Sequence, residues 1–318
     1  MSACQCKICS NSLSNETFVI REMMFGTREN FTYFRCSSCG CLQITEIPEE
    51  LSRYYPQDGY YSFNDILQTN WLWESLKSLI KYYLFKASSS RCGMFLLQKL
   101  PYVRVLKKLV WLKGLWQLKK NSSVLDVGCG NGRLLQEMNL WGFKNLTGID
   151  SFIEKDIVYP SGIKIFKQDV FSHVGAYDLI MLHHSFEHMD NPQLVLEQLH
   201  RLLKPEGCLL IRIPVSDSFA WRKYDVNWFQ IDAPRHFFLY TTKSMVFLSK
   251  GAGFILKHIV YDSTEAQFLQ SEKYRRGVSL FENLDFSSKY IDDSKKYARW
   301  LNRMMDGDQA CFVFQKEK

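Results

Sequence analysis

The chain is 318 residues long, 46% hydrophobic and 23% charged, with a formal net charge of +7 at pH 7. That length supports one large core and a satellite unit, and no apolar run approaches the roughly 20 residues that span a bilayer. The positive charge is concentrated, because residues 65–120 hold eleven Lys or Arg against Asp65 and Glu74 alone, which leaves the rest of the chain slightly acidic.

At the N-terminus, Cys6-x2-Cys9 and Cys36-x2-Cys39 form two knuckles separated by enough chain for a small hairpin. Four thiolates at this spacing suit tetrahedral zinc in a closed structural site. Disulfides are the rival reading, but residues 1–10 lack the apolar core of a secretory signal, so a reducing, cytoplasmic setting is expected. Cys4 and Cys41 flank the knuckles and either could substitute as a ligand. Cys92, Cys129, Cys208 and Cys311 are scattered and read as apolar fillers. Residues 1–60 carry five basic and seven acidic side chains. A phosphate-tracking ribbon would need clustered positive charge, so nucleic acid is an unfavoured partner. The expected ribbon covers residues 1–62.

Residues 63–120 read as a helical cap or linker. Trp71-Leu72-Trp73, the run from Leu79 to Phe85 and the run from Val103 to Trp116 are aromatic and apolar, and Lys77, Lys81, Arg104, Lys107 and Lys108 recur at helical spacing. Such helices either pack as a lid on the following domain or lie in a membrane interface.

The third unit spans 121–318. Val124-Leu125-Asp126-Val127 is a buried strand ending in Gly128-Cys129-Gly130-Asn131-Gly132, and Arg133-Leu134-Leu135 opens a helix. A strand, a glycine turn and a helix N-terminus make the cradle for a nucleotide-like ligand in a doubly wound sheet. The dinucleotide fingerprint G-x-G-x-x-G competes, but the third glycine here comes one residue early. Asp126 also suits a ligand bearing an ammonium group. Leu146 to Asp150 reads as the second strand, with Asp150 placed to accept ribose hydroxyls. Further strands are expected at Ile163–Gln168, Tyr177–Leu182, Gly207–Ile213, Ile255–Val260 and Gln309–Phe314, with a turn at Leu203–Gly207. The fold class is therefore α/β, a Rossmann-like sheet of seven mostly parallel strands.

Two clusters carry chemistry. After the fourth strand comes His183-His184-Ser185-Phe186-Glu187-His188, at the carboxyl edge where ligands bind in such sheets. His184-x2-Glu187-His188 matches the inverted zinc-protease pattern, but that motif needs a helix and this one follows a strand. Between the fifth and sixth strands, a connection at about 214–250 is long enough to build a substrate cover. It contains Asp232-Ala233-Pro234-Arg235-His236, in which His236 could deprotonate an acceptor. Arg235 either grips a carboxylate or phosphate or pairs with Asp232.

The glycine run resembles motif I of class I S-adenosylmethionine (SAM) dependent methyltransferases. With the two cysteine pairs, Arg53-Tyr54-Tyr55-Pro56-x3-Tyr60-Tyr61-Ser62, His-Ser-Phe-Glu-His and Ala-Pro-Arg-His, most of the chain resembles bacterial zinc-ribbon members of that class, often found with polysaccharide or secondary-metabolite assembly. Its N-terminal half is similar to deoxysugar C-methyltransferases, whose pattern adds a second C-terminal Rossmann-like domain. The 318 residues end without one, so sugar-ring C-methylation is not expected. The resemblance implies a SAM site of Asp126, Gly128, Cys129, Gly130, Gly132, Asp150, Ser151, Phe152, Asp169, Val170 and His183, with Asp169 meeting the adenine amino group and Tyr60 and Tyr61 folding over the ligand. Zinc is expected on Cys6, Cys9, Cys36 and Cys39.

On the acceptor side, His184, Glu187, His188, Arg235 and His236 are expected to converge. Three readings of the fourth-strand cluster stay open. Glu187-His188 shapes the SAM pocket, or His184 or His188 is a metal-free base, or the cluster holds a divalent metal, as the Glu-x-x-Glu-His version does in ubiquinone-pathway O-methyltransferases. With His184 in the first position a softer ion than magnesium is favoured. The expected activity is methylation of a small polar acceptor, a hydroxyl of a sugar or glycan precursor. An RNA methyltransferase and a non-catalytic SAM-binding regulator are the rivals. No oligomeric state can be read from the sequence.

Overall fold

A computed structural model describes residues 4–55, 115 and 118–317. The N-terminal ribbon is built on β1 (Glu16–Arg21), β2 (Asn30–Arg35) and β3 (Leu42–Ile44), paired antiparallel in that order. The second unit opens with β4 (Ser123–Val127), whose last four residues are all buried. A central parallel strand is covered on both faces, which is why its sequence is a continuous apolar run broken only by Asp126.

The remaining strands of this unit are β5 (Asn145–Ile149), β6 (Ile157–Val158), β7 (Lys164–Phe166), β8 (Tyr177–His183) and β9 (Leu203–Pro214). After β10 (Phe238–Leu239) come β11 (Phe254–Tyr261) and β12 (Gln309–Lys316). The large sheet has eight strands in the order β11-β12-β9-β8-β4-β5-β7-β6. Strands β7, β5, β4, β8 and β9 run parallel, whereas β12 is antiparallel to both its neighbours. The chain order reverses at β4, since β5 and β7 lie on one side and β8 and β9 on the other. A crevice opens at such a switch point, beyond the carboxyl ends of the strands.

This is the expected Rossmann-like α/β sheet with three corrections. Eight strands are present rather than seven, because the two-residue β6 adds an antiparallel edge too short to leave a periodic signal. The third expected strand shrinks to Lys164–Phe166. The fifth begins at Leu203, since the stretch read as a turn stays extended and pairs Leu203 with Tyr177 across a register shift.

Among the described residues the helices are α1 (Arg133–Leu140), α2 (Pro192–Leu202), α3 (Phe219–Tyr224), α4 (Thr242–Gly251), α5 (Ala266–Arg275) and α6 (Ser288–Arg303). No described helix is long and apolar enough to cross a membrane. Expectations for Tyr60, Tyr61 and nearly all of 65–120, lid or membrane contact alike, lie outside the described residues.

The connection from β9 to α4 holds α3, two short 3-10 turns and β10. Strand β10 pairs antiparallel with β3, so the ribbon sheet is four-stranded, in the order β1-β2-β3-β10. Tyr33, Leu42, Phe238, Tyr240 and Phe186 are therefore buried in one shared core. Polar contacts set the register. The Thr241 hydroxyl accepts from Ser244 N as the cap of α4 and donates to Cys39 O at 2.7 Å. Tyr33 donates to the carbonyl of His236 at 2.8 Å. The cover is thus held to the ribbon as firmly as to the sheet, and this fixes one wall of the site.

Candidate active site

Residues Gly128, Gly130 and Gly132 have φ of +75°, +53° and +76°, the left-handed region that favours glycine. Space demands glycine too, because a Cβ on Gly128 would fall 2.5 Å from the Cβ of Ser185, and one on Gly132 would fall 2.5 Å from Ile165 Cδ1. Ser185 in turn donates to the Val127 carbonyl, which ties the glycine turn to the end of β8.

Two acids brace this turn differently. Asp150 accepts from Gly130 N with one oxygen and from Phe152 N with the other, both at 2.8 Å. A carboxylate offers about four lone-pair positions, so two remain for ribose hydroxyls. The Oδ1 of Asp126 is buried with no hydrogen-bond partner. Burial, and then the charge of Asp150, push the Asp126 carboxyl up to about 8. A buried acid with one oxygen unpaired beside a glycine cradle fits the ammonium end of SAM, and Asp150 fits its ribose. Bound there, SAM would supply an electrophilic methyl group.

The other residues expected around SAM are more scattered in role. Cys129 is packed beneath the turn, its Sγ 2.5 Å from where a Gly148 Cβ would stand. Val170 is buried, while Ser151 is exposed. Asp169 is exposed and caps the following turn, accepting from Phe171 N, Ser172 N and the Ser172 hydroxyl. His183 is kept neutral by burial and by the adjacent Arg212 and His184. Exposed Phe152 stacks on Tyr55 with ring centroids 5.7 Å apart. That aromatic lid was not foreseen, although Tyr55 sits in the tyrosine-rich motif noted at the ribbon's end.

On the acceptor side, β8 ends at His183 and a 3-10 turn carries Phe186–His188. His188 Nδ1 lies between the Arg235 carbonyl at 2.8 Å and the Tyr55 hydroxyl at 3.0 Å, and pairing with the carbonyl, which can only accept, puts the proton on Nδ1 and the lone pair on Nε2. His236 repeats this arrangement, with Nδ1 2.7 Å from the Gln230 carbonyl. Burial and the neighbouring His236 lower the pKa of His188 to about 4, so its imidazole is neutral at pH 7. Glu187 is completely buried and neither oxygen accepts a well-formed hydrogen bond. Burial alone would raise it, but the imidazoles of His184, His236 and His188 outweigh burial and hold it below the usual carboxylate range.

The imidazoles of His184, His188 and His236 border a cavity of about 180 Å³ lined also by Asp232, Gln230 and Phe229, with Met24 of the ribbon, Tyr274 of α5 and Leu280 beyond it, while Glu187 lies buried behind them. His184, Glu187, His188 and His236 therefore do come together. Two of the open alternatives are decided by the contacts, since Arg235 pairs with Asp232 and His184 is engaged on both ring nitrogens. His184 accepts from Arg212 at 2.8 Å on Nε2 and faces Glu187 Oε1 at 3.3 Å with Nδ1, so neither nitrogen is free to act as a base.

Arg235 is fully buried and occupied. It forks onto Asp232 at 2.6 and 3.0 Å, reaches Glu22 at 2.9 Å and donates to Tyr54 O. It binds the cover to the ribbon, and with four of its five donors engaged in the interior it is not available to grip a substrate. Glu22, which also accepts from Phe25 N and Thr27 N, was missed because a lone acid in a hairpin carries no sequence signal. Gln230, Met24 and Arg212 were missed as site residues because they lie outside every motif, whereas Asp232 was named only as the partner of Arg235.

At the ribbon's tip, the four sulfurs of Cys6, Cys9, Cys36 and Cys39 lie within 4.8 Å of one another. Cys6 and Cys39 are 3.6 Å apart and Cys9 and Cys36 3.5 Å, close to the ~3.8 Å edge of a tetrahedron with zinc–sulfur bonds of about 2.3 Å. Donors surround them, including Ile8 N and Gln43 Nε2 to Cys6 and Cys39 N to Cys36. None of the nine described cysteines is in a disulfide. Cys4 and Cys41 stand outside this set.

Strand order, the glycine turn at the switch point and the paired acids together form the crevice of a Rossmann-like α/β sheet. Residues 102–259 match the Methyltransf_23 family model, described as a methyltransferase domain. Similar curated proteins include the ubiquinone biosynthesis O-methyltransferase of Cronobacter sakazakii, 34% identical over 109 residues, 31% of this chain and 44% of that protein. The (S)-coclaurine N-methyltransferase of Thalictrum flavum is 27% identical over 127 residues, 36% of this chain and 35% of the relative. The chain thus spans less than half the length of these relatives. Among solved structures, a SAM-dependent methyltransferase from Archaeoglobus fulgidus aligns with TM-score 0.41 and 19% identity, covering 66% of this chain and 94% of that one.

Proposed function

We propose that the protein is a SAM-dependent methyltransferase acting on a hydroxyl of a small polar acceptor, such as a sugar or glycan precursor. The observation that carries this reading is the buried Asp126 carboxyl under the glycine turn, whose Oδ1 has no hydrogen-bond partner, one strand away from a cavity bordered by His188 and His236. In the reaction the acceptor oxygen attacks the methyl carbon as the carbon–sulfur pair returns to sulfur, and the hydroxyl proton leaves. Asp126 and Asp150 hold the donor. The Nε2 atoms of His188 and His236 give the acceptor hydroxyl an electron-rich wall, with the buried Glu187 carboxylate behind them. Met24, Phe229 and Leu280 supply apolar surface that excludes water. The ribbon contributes to this wall, and one structural zinc on Cys6, Cys9, Cys36 and Cys39 would hold it in shape.

The experiment is incubation with methyl-labelled SAM against nucleotide-sugar, lipid-linked glycan and RNA pools. Label is expected in the first or second pool. Label confined to RNA would replace the acceptor assignment. His236→Ala should lower turnover on the labelled acceptor by about 10²–10⁴, the contribution of a positioned proton-transfer group, with SAM affinity unchanged.

A further inference from the structure

We propose that the acceptor cavity is an anion-excluding pocket: it takes one ring-sized moiety, uncharged or bearing an amine, and rejects a carboxylate or phosphate on that moiety. The inference deepens the methyltransferase reading and rests on it, since it names the class of acceptor. Size is the first constraint. The cavity of about 180 Å³ is smaller than the ~300–1,000 Å³ of pockets that enclose a whole drug-sized ligand, so the bulk of a larger acceptor stays outside. Its lining suits a hydroxylated ring, with Met24, Phe229 and Leu280 for the carbon faces and Gln230, Asp232 and the imidazoles for the polar edges.

Charge is the second constraint. Among the described residues the lining holds one carboxylate, Asp232, and neither lysine nor arginine. In and behind that lining, four carboxylates (Glu22, Glu187, Asp232 and Asp262) share two guanidiniums, Arg212 and Arg235. Because Arg212 donates to Nε2 of His184, that imidazole keeps its single proton on Nδ1, toward Glu187, and adds no charge. Burial and the neighbouring His236 keep His188 neutral at pH 7. A proton on His236 Nε2, which faces Glu187 at 3.9 Å and Asp232 at 3.8 Å, would still leave one negative charge in excess. Lys273 donates to Leu280 O and answers Glu282, so that pair is neutral as a whole.

The phenol of Tyr274, which lines the cavity, feels the resulting field. Burial and then the charge of Asp232 push it up, against the opposing pull of Arg235. An anion in this space would lose its water without meeting a free cation and would face like charge. An ammonium group would instead find Asp232 on the wall.

Three ring probes of comparable size test the pocket: cyclohexanol, cyclohexylammonium and cyclohexanecarboxylate. Each is titrated into the full-length protein labelled with methyl-¹³C methionine, and the Met24 signal, assigned through Met24→Leu, reports occupancy. The alcohol and the ammonium are expected to shift it, and the carboxylate to bind at least ~10-fold more weakly than either. A carboxylate that binds as tightly as the alcohol would overturn the proposal, as would a Met24 signal that none of the three moves. Glu22→Gln removes one of the four carboxylates without touching the lining and should narrow the gap between alcohol and carboxylate; an unchanged gap would overturn the charge argument. Comparing probes within one protein cancels any loss of folded material, and the wild-type series decides alone if the variant misfolds. Calorimetry with S-adenosylhomocysteine keeps the two readings apart, because its failure would remove the methyltransferase reading while the probes still reported the preference of the cavity.

Discussion

Replacing Asp126 with Asn should make the ligand-free protein more stable at neutral pH and a poorer SAM binder. The Asp126 carboxyl is raised from its ordinary 3.8 to about 8, chiefly by burial and secondarily by Asp150. A raised acid holds its proton in the folded state after the unfolded chain has released it. Its contribution to stability is therefore fully present below pH 4 and is lost as pH rises toward 8. At roughly 1.36 kcal/mol per pH unit, the loss comes to on the order of 4–5 kcal/mol by pH 7. Asn has a similar shape and no proton to lose. Urea denaturation of both proteins from pH 4 to pH 9 should give a difference that grows with pH to about pH 8 and then levels off. With SAM the order reverses, because the ionised carboxylate gains an ammonium partner. Asp126→Asn should lose about 1.5–3 kcal/mol of SAM affinity, the worth of a charged hydrogen bond. Calorimetry at pH 7 in buffers of different ionisation enthalpy should show proton release in the wild type only. Parallel pH profiles for the two proteins would refute the reasoning, since burial of that carboxyl would then have no energetic consequence.

Other perturbations test other parts of the site. Gly128→Ala forces a Cβ to 2.5 Å from Ser185 Cβ at φ +75°, so a drop of roughly 1–3 kcal/mol in stability and loss of SAM binding are expected; unchanged melting and calorimetry would show that the turn is slack. Arg235→Leu leaves buried Glu22 and largely buried Asp232 without their cation and should cost about 3–5 kcal/mol in urea denaturation, far more than loss of an exposed ion pair. A chelator strong enough to strip the cysteine cluster should first expose residues 4–44 to proteolysis and then loosen the cavity wall that β10 and Thr241 join to the ribbon. Elemental analysis finding no zinc in freshly purified, reduced protein would count against that role for the four cysteines.

The glycine turn and its acids were legible because their constraints are local. Gly128, Gly130 and Gly132 answer to backbone dihedrals, and Asp126 and Asp150 end strands that the apolar pattern already marks. The cysteine pairs were legible for a similar reason, since ligand spacing is written within each knuckle. The acceptor side was only half legible. His184, Glu187, His188 and His236 were named, but their division of labour depends on which atoms meet across the fold. His184 looked like the first ligand or the base until Arg212, 28 residues away, took its Nε2. Arg235 stood between a substrate clamp and a partner of Asp232, and the Glu22 contact, 213 residues away, that completes its ion pair could not be read at all. No periodicity or motif spacing encodes such a pairing. The same long-range contact explains why the ribbon belongs to the chemistry. Arg235 and His236 are adjacent in sequence, so the ion pair that anchors Arg235 to the ribbon hairpin also positions the His236 imidazole against Glu187. A change at Glu22 should therefore disturb the cavity without touching any residue that lines it, and an acceptor bound by His236 should in turn tighten the ribbon.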